Sequence, residues 1–402
     1  MRRPSLVALT AVALIVVVQS GCTAPASSSG DPAPAGRAEP AQSTGVPDTS
    51  TTSPPGTTTT IDPRDALPSD ERRLSLAMRI ADDGLQPKSV VHSGTGLFFA
   101  QNMMYRHSIA VYDRGGALVT TIDDRIDLGA FGVAEAERAP VVRGAPVEAA
   151  FSPDGATAWV SNYKMYGDGW RPVADDSCQG RNWDPGYVYR IDVASFEVTD
   201  AIKVGAVPKF LAATPDGRLL LVSNFCSQDL SVVDAATGNE IRRILVGLHP
   251  RGIAVTSDSS AAFIAVMGTA TVVRIDLATW ETTDIPAGPT PRHLVLSPDD
   301  RVLYVTNNRA GTVRSLDPSS GEELAVVHTG QQPRSMAISD DGRSLWVVNY
   351  ADDTMSKVAT ATMTVVQVIA TGRRPVGVTY DPVDNRVWVA NYSGSLGVYD
   401  DR

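Results

Sequence analysis

The chain has 402 residues, of which 43% are hydrophobic and 20% are charged. This is enough for a large core and more than a single small domain needs. Acidic residues outnumber basic ones by 45 to 35, for a formal charge of −10, which argues against a protein that coats nucleic acid with its whole surface. Three Cys residues are too few for a disulfide scaffold.

The N-terminus has the pattern of an export signal. Residues 1–3 form a short basic region, and an apolar stretch over residues 6–18 is followed by small residues and Cys22. The segment resembles a bacterial lipobox, whose Cys carries a diacylglycerol, although Gln19 stands where an aliphatic residue is usual. We therefore expect a signal peptide over residues 1–21, a lipidated Cys22, and a protein held on the extracytoplasmic face of the cell membrane. An ordinary cleaved signal and an uncleaved anchor helix are the alternatives.

Residues 22–66 have the composition of a stalk. They are rich in Ala, Pro, Ser and Thr, and residues 51–60 read TTSPPGTTTT. A segment without apolar periodicity cannot bury enough surface to offset its chain entropy. We expect a disordered stalk that holds the following domain away from a membrane.

A repeat of about 42 residues follows, over residues 67–402. Each unit begins with a Pro that leads into a short apolar strand, and these residues are Pro87, Pro146, Pro208, Pro250, Pro291, Pro333 and Pro375. Successive Pro residues are 59, 62, 42, 41, 42 and 42 positions apart. The first two intervals therefore contain insertions, which fall at residues 124–145 and 163–186.

Each unit contains four short strands joined by turns. The second strand usually ends in Asn, the third usually ends in Asp, and the fourth runs into Gly; the Asn residues are Asn102, Asn162, Asn224, Asn307, Asn349 and Asn391. Four strands in each of seven units predict an all-β, seven-bladed β-propeller. Residues 72–80 match the fourth-strand type, so we expect this N-terminal strand to complete the last blade and leave no open edge.

The sequence Tyr-Val-Thr-Asn at residues 304–307 is the signature of a known repeat. With the periodicity, it makes the chain resemble the YVTN-repeat (YncE-like) propellers over about residues 70–402. The resemblance implies the fold. It does not define an activity, because relatives include surface-layer proteins and lactonase-like enzymes, and one fold hosts many functions.

Cations cluster at one predicted end of the central channel. In a blade, the loop before strand one and the loop after strand two open on the same face, where both insertions also lie. Cations follow the repeat Pro in five units and precede it in the seventh: Lys88, Lys209, Arg251, Arg292, Arg334 and Arg374. Such a ring would attract an anion despite the acidic chain. Alternatively, each cation pairs with an Asp of a neighbouring blade or caps a loop.

Aromatic residues accompany the cations. Four of them follow the repeat Asn, namely Tyr163, Phe225, Tyr350 and Tyr392, and the second insertion adds Tyr166, Trp170, Trp183 and Tyr187. Aromatic faces beside cations suit sugars, planar ligands or single-stranded bases. Packing between blades is the alternative, and it is favoured for the rings that follow Asn. The Asn residues themselves are expected to brace loops.

Cys178 in the second insertion and Cys226 in the next blade are expected in adjacent loops on the same face. In an exported protein this arrangement predicts a disulfide, with two separate thiols as the alternative. The bond would close a loop of roughly 50 residues and stabilise the fold by about 4 kcal/mol.

Signals for catalysis and metal binding are sparse. His249 and His293 are expected in loops at the mouth, and Glu148 at the mouth of the second blade; together they could form a lactonase-like acid–base site. The insertion carries four Asp residues that could offer oxygen ligands to Ca²⁺: Asp168, Asp175, Asp176 and Asp184. Their spacing matches no EF-hand, so no metal site is predicted. No cofactor is predicted either.

Together these patterns favour a monomeric, cell-envelope binding protein. An anionic small molecule, an acidic glycan or a protein partner would dock at the cationic mouth; nucleic acid is less favoured. A lactonase-like or lyase enzyme acting at the same mouth is one alternative. The other is a passive scaffold whose disulfide-pinned insertion binds a protein.

Overall fold

A computed structural model describes residues 67–103, 106–133, 137, 140–170, 178 and 183–402. The predicted signal peptide, the lipidation site Cys22 and the stalk lie outside these residues. Where the structure describes the chain, no helix is long and apolar enough to cross a membrane.

Strands in the described ranges form seven four-stranded antiparallel sheets, one for each unit, here called blades one to seven. The innermost strands are β2 (Ser89–His92), β8 (Pro146–Phe151), β12 (Pro208–Ala213), β16 (Pro250–Val255), β20 (Pro291–Leu296), β24 (Pro333–Ile338) and β28 (Pro375–Asp381). The second strands are β3 (Leu97–Asn102), β9 (Thr157–Asn162), β13 (Leu219–Asn224), β17 (Ala261–Val266), β21 (Leu303–Asn307), β25 (Ser344–Asn349) and β29 (Arg386–Asn391). The third strands are β4 (Ser108–Asp113), β10 (Gly186–Asp192), β14 (Asp229–Asp234), β18 (Thr271–Asp276), β22 (Thr312–Leu316), β26 (Thr354–Ala359) and β30 (Ser395–Asp401). The outer strands are β5 (Leu118–Asp123), β11 (Val198–Val204), β15 (Glu240–Leu245), β19 (Thr282–Pro286), β23 (Glu323–His328), β27 (Thr364–Ala370) and β1 (Leu74–Ile80).

The predicted seven-bladed β-propeller is confirmed, including the way in which the circle closes. β1 pairs antiparallel with β30, from Leu74 opposite Asp401 to Ile80 opposite Leu396. The N-terminal strand is therefore the outer strand of blade seven. The innermost strands of successive blades contact one another around the ring, and β2 contacts β28. β1 thereby gives blade seven the same four strands as the other blades, and the closed ring leaves only the short outer edge of each blade.

Apolar packing between blades holds the ring together. The rings of Phe98 in blade one and Trp388 in blade seven are stacked 3.9 Å apart, and both side chains are fully buried. Trp346 stacks in the same way on Tyr380 of the next blade at 4.6 Å. Rings buried in this way combine a large apolar area with a specific geometry, so they fix the angle between neighbouring blades.

The repeat Asn residues brace the loops, as expected. All six are fully buried. Asn307 donates a hydrogen bond to the carbonyl oxygen of Ala287 at 2.7 Å, and Asn349 donates to that of Thr329 at 3.2 Å. Because a buried carbonyl without a partner is costly, these amides stabilise the loop that leads into the innermost strand.

The described part of the first insertion contains regular secondary structure. Residues 124–145, which we expected to enlarge a loop, contain a short hairpin of β6 (Arg125–Asp127) and β7 (Val141–Arg143) with a 3₁₀ helix at Leu128–Phe131. The apolar side chains of Leu128 and Val142 are buried, which explains why this segment folds against blade two. Arg143 and Tyr166 exchange backbone hydrogen bonds of 2.7 and 2.8 Å, so the two insertions are joined.

Candidate functional site

A repeated backbone kink shapes the mouth of the channel. The residue before the strand-one Pro has a left-handed conformation in blades three to seven: Val207, His249, Thr290, Gln332 and Arg374 have φ between 55° and 61°. Its carbonyl oxygen accepts a hydrogen bond from the residue after the repeat Asn or its equivalent, for example from Phe225 to Val207 at 2.9 Å. Residues other than Gly seldom adopt this backbone conformation. The kink turns the chain abruptly into the innermost strand.

A β-bulge follows the kink. In blades two to seven the pairing between the first two strands shifts register just after the Pro, as between Pro146 and Glu148 and between Pro208 and Phe210. Successive side chains of a regular strand point to opposite faces, whereas a bulge redirects one of them. The bulge therefore accounts for two consecutive side chains lining the channel in the same blade.

These positions build two rings of residues around the channel. The upper ring, one residue after each Pro, comprises Lys88, Val147, Lys209, Arg251, Arg292, Arg334 and Val376. The lower ring, two residues after each Pro, comprises Ser89, Glu148, Phe210, Gly252, His293, Ser335 and Gly377. The upper ring and part of the lower ring enclose a cavity of about 40 Å³. A second cavity of about 120 Å³ continues below the lower ring.

Five of the six predicted cations meet in the upper ring. Blades three to six contribute four of them side by side, while Lys88 of blade one lies between Val147 and Val376. Arg374 does not belong to the ring, because it occupies the kink before Pro375 and its side chain is exposed. Positive charge is therefore concentrated on one side of the channel.

The aromatic residues lie behind the cations, mostly one blade away. Lys209 lies 4.0 Å from the centre of the Tyr163 ring, and Arg251 lies 5.0 Å from that of Phe225. The same relationship joins Lys88 to Tyr392 at 5.0 Å, and Arg334 lies 3.4 Å from the ring centre of Tyr350 in its own blade. Tyr163 and Phe225 are only 5% and 4% exposed. Their geometry thus fits packing between blades, with ring faces turned to the cations.

The three candidate catalytic residues are not all brought together. Glu148 and His293 both line the upper and lower cavities from blades two and five. His293 lies within β20 rather than in a mouth loop, which corrects the expectation from sequence. His249 stacks flat on Phe225 at 4.4 Å and is not among the described residues that line either cavity.

Burial shifts the pKa values of both Glu148 and His293. Burial raises the pKa of Glu148 to about 8, although hydrogen bonds with Ser89 and with the Ala149 amide act in the opposite direction. Burial, assisted by the positive charge of Arg292, lowers the pKa of His293 to about 4. Desolvation disfavours the charged form of either group. At neutral pH both side chains are therefore mostly uncharged, within a ring of cations.

The second insertion supports the mouth through packing. Trp170 is buried and lies edge-on to the fully buried Tyr187 at 5.8 Å. Tyr166 and Trp183 are partly buried against the cluster that contains Tyr163 and Phe225. The predicted disulfide between Cys178 and Cys226 is confirmed, and it fixes this insertion to blade three.

No cluster of three or more His, Cys, Asp or Glu side chains suited to a metal ion occurs within the described ranges. Of the four Asp residues considered as Ca²⁺ ligands, Asp168 and Asp184 are described, whereas Asp175 and Asp176 lie outside these ranges.

Sequence reasoning missed most of the lower ring. It identified Glu148 and His293 individually but did not recognise that Ser89, Phe210 and Ser335 occupy the equivalent position. The available signal was their constant place, two residues after each repeat Pro. Alternation along a regular strand would have turned that position away from the channel.

Comparisons with known proteins support the fold. The Cytochrome D1 heme domain family matches residues 292–391. The Seven-bladed beta-propeller protein Rv1057 of Mycobacterium tuberculosis (strain ATCC 25618 / H37Rv) is 31% identical over 123 residues, a match that spans 29% of this chain and 31% of that relative. The structure of Kuenenia stuttgartiensis hydrazine synthase is similar with a TM-score of 0.61 and 18% identity, over 80% of this chain and 97% of that chain.

Proposed function

We propose that this protein is a binding protein of the cell envelope, and that it takes a small anion at the upper ring. The observation that carries the proposal is the convergence of five cations on one cavity. Lys209 is only 4% exposed, and the others are partly buried. Cations in a cleft with apolar walls focus the field and concentrate anions locally, even when the net charge of the protein is negative.

The chemistry of the ring favours an oxyanion. Three of the cations are Arg, whose planar guanidinium donates two parallel hydrogen bonds to a carboxylate, sulfate or phosphate. The aromatic faces behind Lys209 and Arg251 hold these two cations in place. An acidic glycan or a protein partner would present one such group to the ring.

The size of the channel limits the ligand. Sites for drug-sized molecules typically span about 300–1,000 Å³, whereas the two cavities measure about 40 and 120 Å³. A haem, suggested by the name of the family that matches residues 292–391, does not fit between these side chains. The proposal is therefore confined to a small anion or a single anionic group.

Cell-envelope location is the second part of the proposal. It is supported by the basic and apolar N-terminus, by Cys22 after small residues, and by the Pro- and Thr-rich residues 22–66. These features suit an exported lipoprotein of the YVTN (YncE-like) type with its propeller on a stalk. Metabolic labelling with a radioactive fatty acid tests this part, because Cys22→Ser would abolish incorporation.

Anion binding can be tested by calorimetry and thermal unfolding. Sulfate, phosphate and acetate are titrated at low and high salt into the wild type and a mouth variant, Lys209→Met, Arg251→Gln and Arg292→Gln. A matched control replaces three exposed Arg residues of other surfaces: Arg79→Gln, Arg218→Gln and Arg301→Gln.

At least one anion is expected to bind the wild type and raise its Tm. Both effects should weaken with salt, disappear in the mouth variant and persist in the control. Equal loss in both variants would mean that overall charge, and not the upper ring, attracts the anion. If no anion binds the folded wild type, the scaffold alternative is preferred.

A further inference from the structure

One carboxyl group lies among the cations. Glu148 lines both cavities, together with Lys209 and Arg334 in the upper one, and it is the only acidic residue among the described residues that line either cavity. Its blade presents Val147 to the upper ring, so blade two contributes no cation at that level. The carboxyl group of Glu148 thus lies beneath a gap in the ring of positive charge.

We propose that the upper ring binds a small oxyanion together with one proton, which Glu148 carries. This inference rests on the proposed anion site and adds the chemistry of its floor. An ionised Glu148 is an internal anion that competes with the ligand for the same cations. A protonated Glu148 removes that competition, and its hydroxyl can donate a hydrogen bond to an oxygen of the ligand.

The burial of Glu148 is consistent with this role. Burial raises the pKa of its carboxyl group to about 8, so the group is mostly protonated at neutral pH and ionises as the pH rises above 8. Other titratable or charged groups face it from the neighbouring and opposite blades: Lys88, Lys209, Arg251, Arg292, His293 and Arg334. The pKa of His293 is lowered to about 4, so this side chain stays neutral throughout the alkaline range.

The linkage between anion binding and protonation of Glu148 determines how the affinity changes with pH. An anion that binds better when Glu148 is protonated must raise the pKa of Glu148 further, because linkage is reciprocal. Oxyanion affinity should therefore be constant well below pH 8 and fall above it, approaching tenfold for each pH unit. Binding above pH 8 should take up close to one proton from the buffer.

The experiment uses sulfate, which does not titrate between pH 6 and 10, in calorimetric titrations of the whole protein. Wild type, Glu148→Gln, Glu148→Ala and the exposed control Glu281→Gln are compared at pH 6.5, 8 and 9.5. Titrations of the wild type in two buffers with different ionisation enthalpies count the protons taken up, and this measurement needs no variant.

Wild type and Glu281→Gln should bind sulfate at least tenfold more weakly at pH 9.5 than at pH 6.5. Glu148→Gln should bind equally at all three pH values, because its amide donates a hydrogen bond and carries no charge. Glu148→Ala should also be insensitive to pH but about tenfold weaker than Glu148→Gln, because it lacks a donor to the charged ligand.

Two results would overturn the inference: an identical pH profile in wild type and Glu148→Gln, or no proton uptake by the wild type at pH 9.5. Either result leaves the anion site in place if sulfate still binds and the mouth variant still loses it. Failure of sulfate and the other anions to bind the wild type at pH 6.5 would instead refute the proposed function itself.

Discussion

The ammonium group of Lys209 lies 4.0 Å from the centre of the Tyr163 ring and 5.1 Å from that of Phe225. Lys209 belongs to blade three and Tyr163 to blade two, so a cation of the channel mouth also joins two blades. Its 4% exposure removes most of its hydration, and under that condition a cation–π contact is strongest. One side chain thus contributes both to the charge of the site and to the packing of the ring.

This contact predicts energetic coupling between Lys209 and Tyr163. In a double-mutant cycle with Lys209→Met and Tyr163→Leu, measured by urea unfolding, we expect a coupling free energy of about 0.5–2 kcal/mol. The control cycle combines Lys209→Met with Tyr392→Leu of blade seven, for which the two effects should add. Additivity in the first cycle would show that the aromatic ring contributes only apolar packing.

A buried ion pair secures the closing strand. Lys357 of blade six donates hydrogen bonds to the carboxylate of Asp401 and, at 3.0 Å, to the carbonyl oxygen of Arg72, and both charged side chains are fully buried. We expect Lys357→Met to cost about 3–5 kcal/mol of unfolding free energy, because it leaves a buried charge without its partner. The double variant Lys357→Met with Asp401→Leu should recover much of this loss in urea unfolding. No recovery would mean that packing, rather than the unpaired charge, sets the cost.

Much of the architecture could be predicted because each blade repeats the same local chemistry. Pro at the start of strand one, Asn at the end of strand two and the constant spacing indicated four strands in each unit. The match between residues 72–80 and the other fourth strands predicted the closure. These signals are local in sequence, and copies of one unit can bury their apolar faces only against each other.

The lining of the channel could not be predicted in the same way, because it depends on a departure from the regular strand. The kink at Val207 and Thr290 places β-branched residues at positive φ, a conformation that their side chains disfavour. The bulge that follows brings both Lys209 and Phe210 to the channel. Contacts such as that between Lys209 and Tyr163 also depend on how neighbouring blades face each other.

The disulfide between Cys178 and Cys226 joins residues 48 positions apart. In the chain-entropy account, a loop of that length lowers the entropy of the unfolded chain enough to stabilise the fold by about 4 kcal/mol. Cys178→Ser with Cys226→Ser should therefore unfold at a lower urea concentration than the wild type. The variant should be insensitive to dithiothreitol, whereas the wild type should lose about the same stability when reduced. A small effect in both experiments would show that the insertion is held by packing around Trp170 instead.

The lowered pKa of His293 predicts how the stability of the fold depends on pH in the acid range. Its pKa falls from 6.5 to about 4 in the folded protein, because burial and then the charge of Arg292 disfavour protonation. Between these two pH values the unfolded chain binds more protons at this site than the folded protein does. The free energy of unfolding should therefore rise from pH 4 to pH 6.5, and the contribution of His293 should be lost when the pH falls back to 4. Since the side chain is only partly buried, we expect His293 to contribute about 1–3 kcal/mol. Urea unfolding at several pH values should show a flatter dependence in His293→Gln but not in the exposed control His328→Gln. Unchanged slopes in His293→Gln would mean that other groups cause the acid sensitivity.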